Sequence, residues 1–190
     1  NAQYPLSWVS QGLSAAALGK YDDATAAYQR LASIDGWKAR SAQGVADLAM
    51  LRGRMAAAAA AIEPLLQEKL PAQQLARLLT TLAAIRLAEG RSAEALKHAD
   101  AALQASGDET TRYETGRIFL AAGRVPKARE QAAELDKALN VETQALGLVL
   151  TGEIQLVGGD ARAAIASFQQ SLKLADAWQT RYLLGRAYLA

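Results

Sequence analysis

Five glycines recur through this 190-residue chain, Gly19, Gly53, Gly90, Gly123 and Gly159, at spacings of 34, 37, 33 and 36 residues. Five residues after each stands an alanine: Ala24, Ala58, Ala95, Ala128 and Ala164. Seven residues before each stands a very small residue: Gly12, Ala46, Ala83, Gly116 and Gly152. A column nine residues after reads Tyr28, Ile62, Ala99, Ala132 and Phe168, and one twelve after reads Leu31, Leu65, Ala102, Leu135 and Ser171. A period of this length marks a repeat architecture and constrains the fold more than any single motif.

The columns have a simple physical reading. Between successive glycines lie two stretches with apolar residues at helical spacing. The glycine is free to take positive φ, so it ends the first helix and turns the chain. The small residue before it and the alanine after it sit where two antiparallel helices cross. The larger residue nine on then fills space toward the next hairpin. A lone hairpin cannot bury its apolar face, so hairpins stack. The expected fold is all-α, with about eleven helices in five hairpins plus one, and no strand.

Composition agrees. The chain holds 44 alanines and 28 leucines and is only 6% aromatic, which favours helices over sheets. The 51% hydrophobic content and net charge of +2 exclude a disordered chain. The prolines test the register. Pro5 suits the first turn of the first helix, Pro71 an inter-repeat loop, and Pro126 a helix start. Pro64 falls inside a second helix, where a kink near residues 60–64 is expected rather than a separate helix.

Several classes of chemistry lack their residues. There is no cysteine, hence no disulfide and no thiolate metal site, which fits a reducing cytoplasm and is compatible with a periplasm. His98 is the single histidine, and no nucleophile elbow accompanies it. No phosphate-binding P-loop motif is present, and the Gly158-Gly159 pair reads as a helix-to-helix turn. No charge-free apolar run is long enough to span a bilayer. Basic residues form no stripe that would neutralise phosphates, so this segment is not expected to bind nucleic acid. No catalytic, cofactor or metal site is expected.

The first repeat reads Trp8-Val9-Ser10-Gln11-Gly12-Leu13-Ser14-Ala15, then Gly19-Lys20-Tyr21, Ala24 and Tyr28. These residues resemble the tetratricopeptide repeat (TPR), with Gln11 and Ala15 replacing the family's Leu and Tyr. The fifth repeat carries Ala164, Phe168 and Leu172, with Asp176 where the family often has Pro. The resemblance covers roughly residues 5–190 and implies one right-handed α-solenoid domain over 3–190, of about five and a half repeats. Their bounds are 5–36, 37–71, 72–107, 108–140, 141–176 and a partial 177–190. Spacings of 37 and 36 against the family's 34 predict longer loops near residues 70 and 140. Asn1-Ala2 reads as a tag remnant, and the sixth repeat as cut short in a longer, bacterial protein.

The resemblance also implies a function. The family's first helices line a concave groove, at places ten and six residues before each turn glycine. Here these are Val9 and Leu13, Gln43 and Asp47, Thr80 and Ala84, Tyr113 and Arg117, Val149 and Glu153, and Tyr182 and Arg186. The candidate partner-binding residues are Gln43, Asp47, Arg77, Tyr113, Arg117, Glu153, Tyr182 and Arg186. One well-known version of the family grips a C-terminal carboxylate with Lys and Asn; Val9 and Leu13 stand in the first of those places, so no such clamp is expected.

The leading expectation is a non-enzymatic module that docks a peptide or partner-protein segment. Alternatives are an assembly spacer and the helical tail of a large signalling protein, which the run Leu174–Gly185 resembles. Such proteins carry a Ser/Thr kinase or winged-helix head. Two finer expectations follow. Glu153 should lie between Arg117 and Arg186 with the two tyrosines beside them. Leu184, Ala187 and Tyr188 should form an uncapped apolar face for self-association.

Overall fold

A computed structural model describes residues 4–190; the suggested tag remnant, Asn1-Ala2, lies outside the described residues. Eleven α-helices and no strand occur among the described residues. In order they are α1 (Pro5–Ala17), α2 (Tyr21–Gln29), α3 (Lys38–Leu51), α4 (Met55–Ile62) and α5 (Ala72–Ala88). Then come α6 (Ser92–Ala105), α7 (Glu109–Ala121), α8 (Val125–Asp136), α9 (Val141–Val157), α10 (Ala161–Leu174) and α11 (Trp178–Tyr188). The chain divides into two compact units, Asn1–His98 and Ala99–Ala190, with the boundary inside α6.

The repeating columns are the framework of both units. The five turn glycines take φ of 72°, 70°, 75°, 74° and 81°, a region that side chains with a Cβ rarely enter. All five alanines of the crossing column are fully buried. In unit 1, hairpins α1–α2 and α3–α4 pack in sequence, and α5 lies against α3 and α4. Tyr28 is the keystone of the first pair. A Cβ on Gly12 would fall within 2.8 Å of its ring, and one on Gly44 would collide with the same ring from the following hairpin. In unit 2, hairpins α7–α8 and α9–α10 stack, and α11 closes on α10. There Phe168 packs over Gly152 of its own hairpin, 2.5 Å from where a Cβ would stand. The column fills space within the hairpin and also toward the next: Tyr28 meets Gly44, Ile62 clusters with Leu78, Leu82 and Ile85 of α5, and Phe168 with Leu183 and Ala187 of α11. Ala187 thus belongs to the interior and not to the expected uncapped face, and Tyr188 leans back so that its hydroxyl accepts from Gln169 at 2.9 Å.

Two further expectations need correction. The extra residues of the long repeats do not lengthen the loops. Segments 68–71 and 137–140 are as short as the loop at 34–37, while α5 and α9 have 17 residues each against 13 or 14 in α1, α3 and α7. An added helical turn buries more apolar surface than an added loop, at less entropic cost. Nor does Pro64 kink a continuing helix. α4 stops at Ile62, and Glu63–Gln67 continues as a 3-10 helix with Pro64 in its first turn. The equivalent helix α2 makes the same change at Arg30–Ser33 without a proline, so the transition belongs to the repeat, and Pro64, which has no N–H to continue an α ladder, is accommodated in it.

One polar device in unit 1 has no counterpart in the columns. The Arg86 side chain, 9% exposed, pairs with Glu63, with Glu89 at 2.8 Å and with Glu94 at 3.7 Å. It ties the 3-10 turn after α4 to the α5–α6 turn. A buried guanidinium is tolerated only because carboxylates surround it.

Candidate functional site

The candidate residues fall into two groups, one in each unit. In unit 1, α3 carries Gln43 and Asp47 one helical turn apart, so they share a face. The Gln43 amide donates to Asp47 Oδ1 at 3.0 Å and to Thr81 Oγ1 on α5 at 2.6 Å. Thr81 in turn donates to the Arg77 carbonyl at 3.1 Å. The Gln43 Oε1 is buried and accepts no hydrogen bond. Arg77 is exposed and lines a cavity of about 240 Å³ with Trp37, Arg40, Gln43 and Gln74. Trp37 and Arg40 are members of this group that the repeat register did not indicate. Arg40 lies one turn before Gln43, and Trp37 immediately precedes α3, where the α2–α3 connection opens onto the face.

In unit 2, Tyr113 and Arg117 stand one turn apart on α7, and Glu153 faces them from α9. Arg117 Nε donates to Glu153 Oε1 at 3.2 Å, and the Tyr113 hydroxyl lies 3.5 Å from Glu153 Oε2. The Arg117 guanidinium also sits 5.7 Å from the Tyr113 ring centroid. Desolvation raises the Glu153 pKa above the ordinary carboxyl value of 4.5, with Arg117 only partly offsetting it. Burial likewise raises the Tyr113 hydroxyl, which stays protonated and available as a donor. Glu114, unremarked in the sequence, lies 4.0 Å from Arg117 and is also raised by desolvation.

The expected bracket of Glu153 by two arginines is half present. Glu153 pairs with Arg117, but Arg186 makes no ion pair among the described residues. Tyr182 and Arg186 are exposed and line the far wall of a cavity of about 670 Å³. Tyr113 and Arg117 form its near wall, with Leu146 and Val149 between and Trp178 at the start of α11. Trp178 went unpredicted because it begins the helix, ahead of the places the register marks. The walls combine apolar and aromatic surface with one guanidinium paired to a carboxylate, Arg117, and one with no ion pair among the described residues, Arg186. The cavity lining is thus aromatic, apolar and cationic, with the Glu114 carboxyl among it.

No protein-family model matches the sequence, and no curated protein sequence does. Solved structures do match in fold. The crystal structure of the MamA protein superposes with a TM-score of 0.55 at 15% identity, over 90% of this chain and 91% of that one. YrrB, a TPR protein with an unusual peptide-binding site, superposes with a TM-score of 0.56 at 14% identity, over 100% of this chain and 94% of that one. The fold is thus an all-α stack of helical hairpins of the tetratricopeptide type. Among the described residues no helix is long and apolar enough to cross a membrane.

Proposed function

We propose that this chain is a non-enzymatic interaction module that holds a peptide or partner-protein segment against the first helices of its hairpins. The observation that carries the reading is the unit 2 cavity. Its volume of about 670 Å³ is lined by Tyr113, Trp178 and Tyr182, with Arg117 and Arg186 at its edges. Aromatic side chains and arginine dominate binding hot spots because they bury much area at little entropic cost. An arginine without an internal partner leaves its donors for a ligand carboxylate. The favoured ligand is a segment with an apolar anchor beside an acidic residue. The neighbour YrrB has a peptide-binding site, which supports the class and not the particular residues.

The test is selection of peptides from a random displayed library on the purified protein. Enriched sequences should combine an Asp or Glu with a large apolar residue. The double variant Arg117→Ala/Arg186→Ala should weaken their binding at least tenfold and leave the melting temperature nearly unchanged. Binding that survives the double variant removes the cavity from the function.

A further inference from the structure

Two arginines stand in the same place of successive repeats in unit 1. Arg40 on α3 lies 13 residues before Gly53, and Arg77 on α5 lies 13 before Gly90. The equivalent places before Gly19, Gly123 and Gly159 hold Leu6, Thr110 and Leu146, so the repeat does not require arginine there. Helices α3 and α5 pack against each other, and axes about 8–10 Å apart let two long side chains converge on one space. Both arginines line the unit 1 cavity of about 240 Å³, together with Trp37, Gln43, Gln74 and Leu78. The cavity lies between residues 36 and 78, with α1 and α2 before it in the chain and α6 after it.

The lining holds two guanidinium groups and no acid. Neither Arg40 nor Arg77 makes an ion pair among the described residues. Arg40 is half-buried, 5.8 Å from the Tyr28 ring centroid, and Arg77 is exposed. The neighbouring acids are already engaged. Asp47, two turns beyond Arg40 on α3, attracts it from a distance but accepts its hydrogen bond from Gln43. Gln43 is fixed in that orientation, because its amide also donates to Thr81, whose own hydroxyl is spent on the Arg77 carbonyl. Glu68 is taken by Lys38. Trp37 rests on the interior cluster of Tyr28 and Leu31, and its indole makes no hydrogen bond among the described residues. Arg86 of the same unit shows the contrast: it is buried with three carboxylates around it, whereas Arg40 is half-buried with none in ion-pair reach.

We propose that this cavity is an acid-reading pocket, in which Arg40 and Arg77 take the carboxylate of one Asp or Glu of a partner segment while its methylenes lie on Trp37 and Leu78. The inference rests on the reading of the chain as a module for partner segments and adds a contact made by unit 1 alone. Guanidinium forks match the geometry of a carboxylate, and a site walled by indole and leucine strengthens the attraction over that in open water. Charge complementarity selects a carboxylate over a phosphate. Two guanidiniums against the Asp47 carboxylate leave one positive charge, which a carboxylate neutralises and a phosphomonoester exceeds. The volume admits a side chain and not a folded element.

The probe is the blocked peptide acetyl-Gly-Leu-Glu-Leu-Gly-amide, titrated into the intact, isotope-labelled protein. The readout is the Trp37 indole N–H resonance, assigned with Trp37→Phe. Saturable shifts are expected at submillimolar to millimolar peptide, and the peptide with Gln in place of Glu should bind at least tenfold more weakly. Arg40→Ala and Arg77→Ala should each weaken the Glu peptide at least fivefold. Arg77→Ala should leave the melting temperature unchanged, since that side chain is exposed and unpaired. Arg117→Ala/Arg186→Ala should leave the Trp37 shifts unchanged. Absence of shifts into the millimolar range, equal binding of the Glu and Gln peptides, or full binding by both arginine variants overturns the proposal. So does tighter binding of the phosphoserine peptide, which makes the pocket a phosphate reader, or an equal response to sodium acetate, which makes it a bare anion site. A Trp37 resonance that moves with protein concentration alone also overturns it, because a second copy then fills the pocket. Failure here with library peptides still bound strikes this pocket alone; failure of both strikes the reading of the chain as a segment binder.

Discussion

The two units build the same hairpins with different local chemistry. In unit 1, α1 to α5 follow Tyr4, Lys20, Trp37, Arg54 and Pro71, and none of these caps its helix through a side-chain hydrogen bond. In unit 2, Asp108, Asn140 and Asp160 accept from the backbone N–H three residues on, at 2.9, 2.8 and 2.9 Å. Unit 1 instead relies on Tyr28 wedged between two glycines and on the buried Arg86 cluster. The faces differ likewise. Unit 1 presents an amide–hydroxyl ladder through Gln43 and Thr81, unit 2 a Tyr–Glu–Arg cluster beside a larger cavity. Crossing columns leave no room to vary, whereas caps and groove residues lie outside them and diverge. Specificity is written where packing does not dictate the side chain.

The comparison can be broken most easily at its aromatic wedges. Phe168→Ala should cost about 3–5 kcal/mol in denaturant unfolding, as a fully buried ring over a glycine leaves a cavity that α9 cannot collapse into. Trp178→Ala, on the exposed side of α11, should cost almost nothing. Equal losses would mean that α11 is not the open edge of unit 2.

Next come the glycines. Gly44→Ala should lose about 1–3 kcal/mol because its methyl collides with Tyr28, and Ala128→Leu a similar amount by overpacking a closed crossing. Gly185→Ala should instead gain about 0.5–1 kcal/mol, the helix-propensity difference, because nothing opposes the methyl. A destabilising Gly185→Ala would contradict the open space around it.

Caps give a smaller effect. Asp160→Ala and Asn140→Ala should each cost about 0.5–2 kcal/mol in thermal or urea unfolding, while Lys20→Ala, at the place in unit 1 equivalent to Asp160, should be near neutral.

The smallest expected effect is a pH dependence at Glu153 of unit 2. Desolvation raises the Glu153 pKa above its unfolded value, so the folded state binds that proton more tightly. The associated stability is present below the ordinary carboxyl value of 4.5 and is lost as pH rises through the raised value. Glu153→Gln should therefore flatten this decline, matching the parent protein near about pH 4 and exceeding it near about pH 7. A variant less stable at neutral pH would show that the Arg117 pair outweighs the desolvation.

Much of this was legible in the residues themselves. A glycine that must take positive φ and an alanine that must fit a helix crossing are local demands. Recurring five times in register, they set the number of hairpins, the turns and the buried columns. The face of each first helix followed too, since residues four apart share it, and so Tyr113, Arg117 and Glu153 could be placed together. What lay beyond the sequence depended on partners distant in the chain. The surplus residues of the long repeats went into α5 and α9 because helical packing outcompetes loop there. Glu153 paired with Arg117 and left Arg186 free, a choice set by where α7 and α11 come to rest against α9. And the columns make α9 and α11 alike, so only the tertiary structure distinguishes a stripe sealed by Phe168 from one at Gly185 that faces open space. A register records which residues can meet; burial depends on which elements arrive.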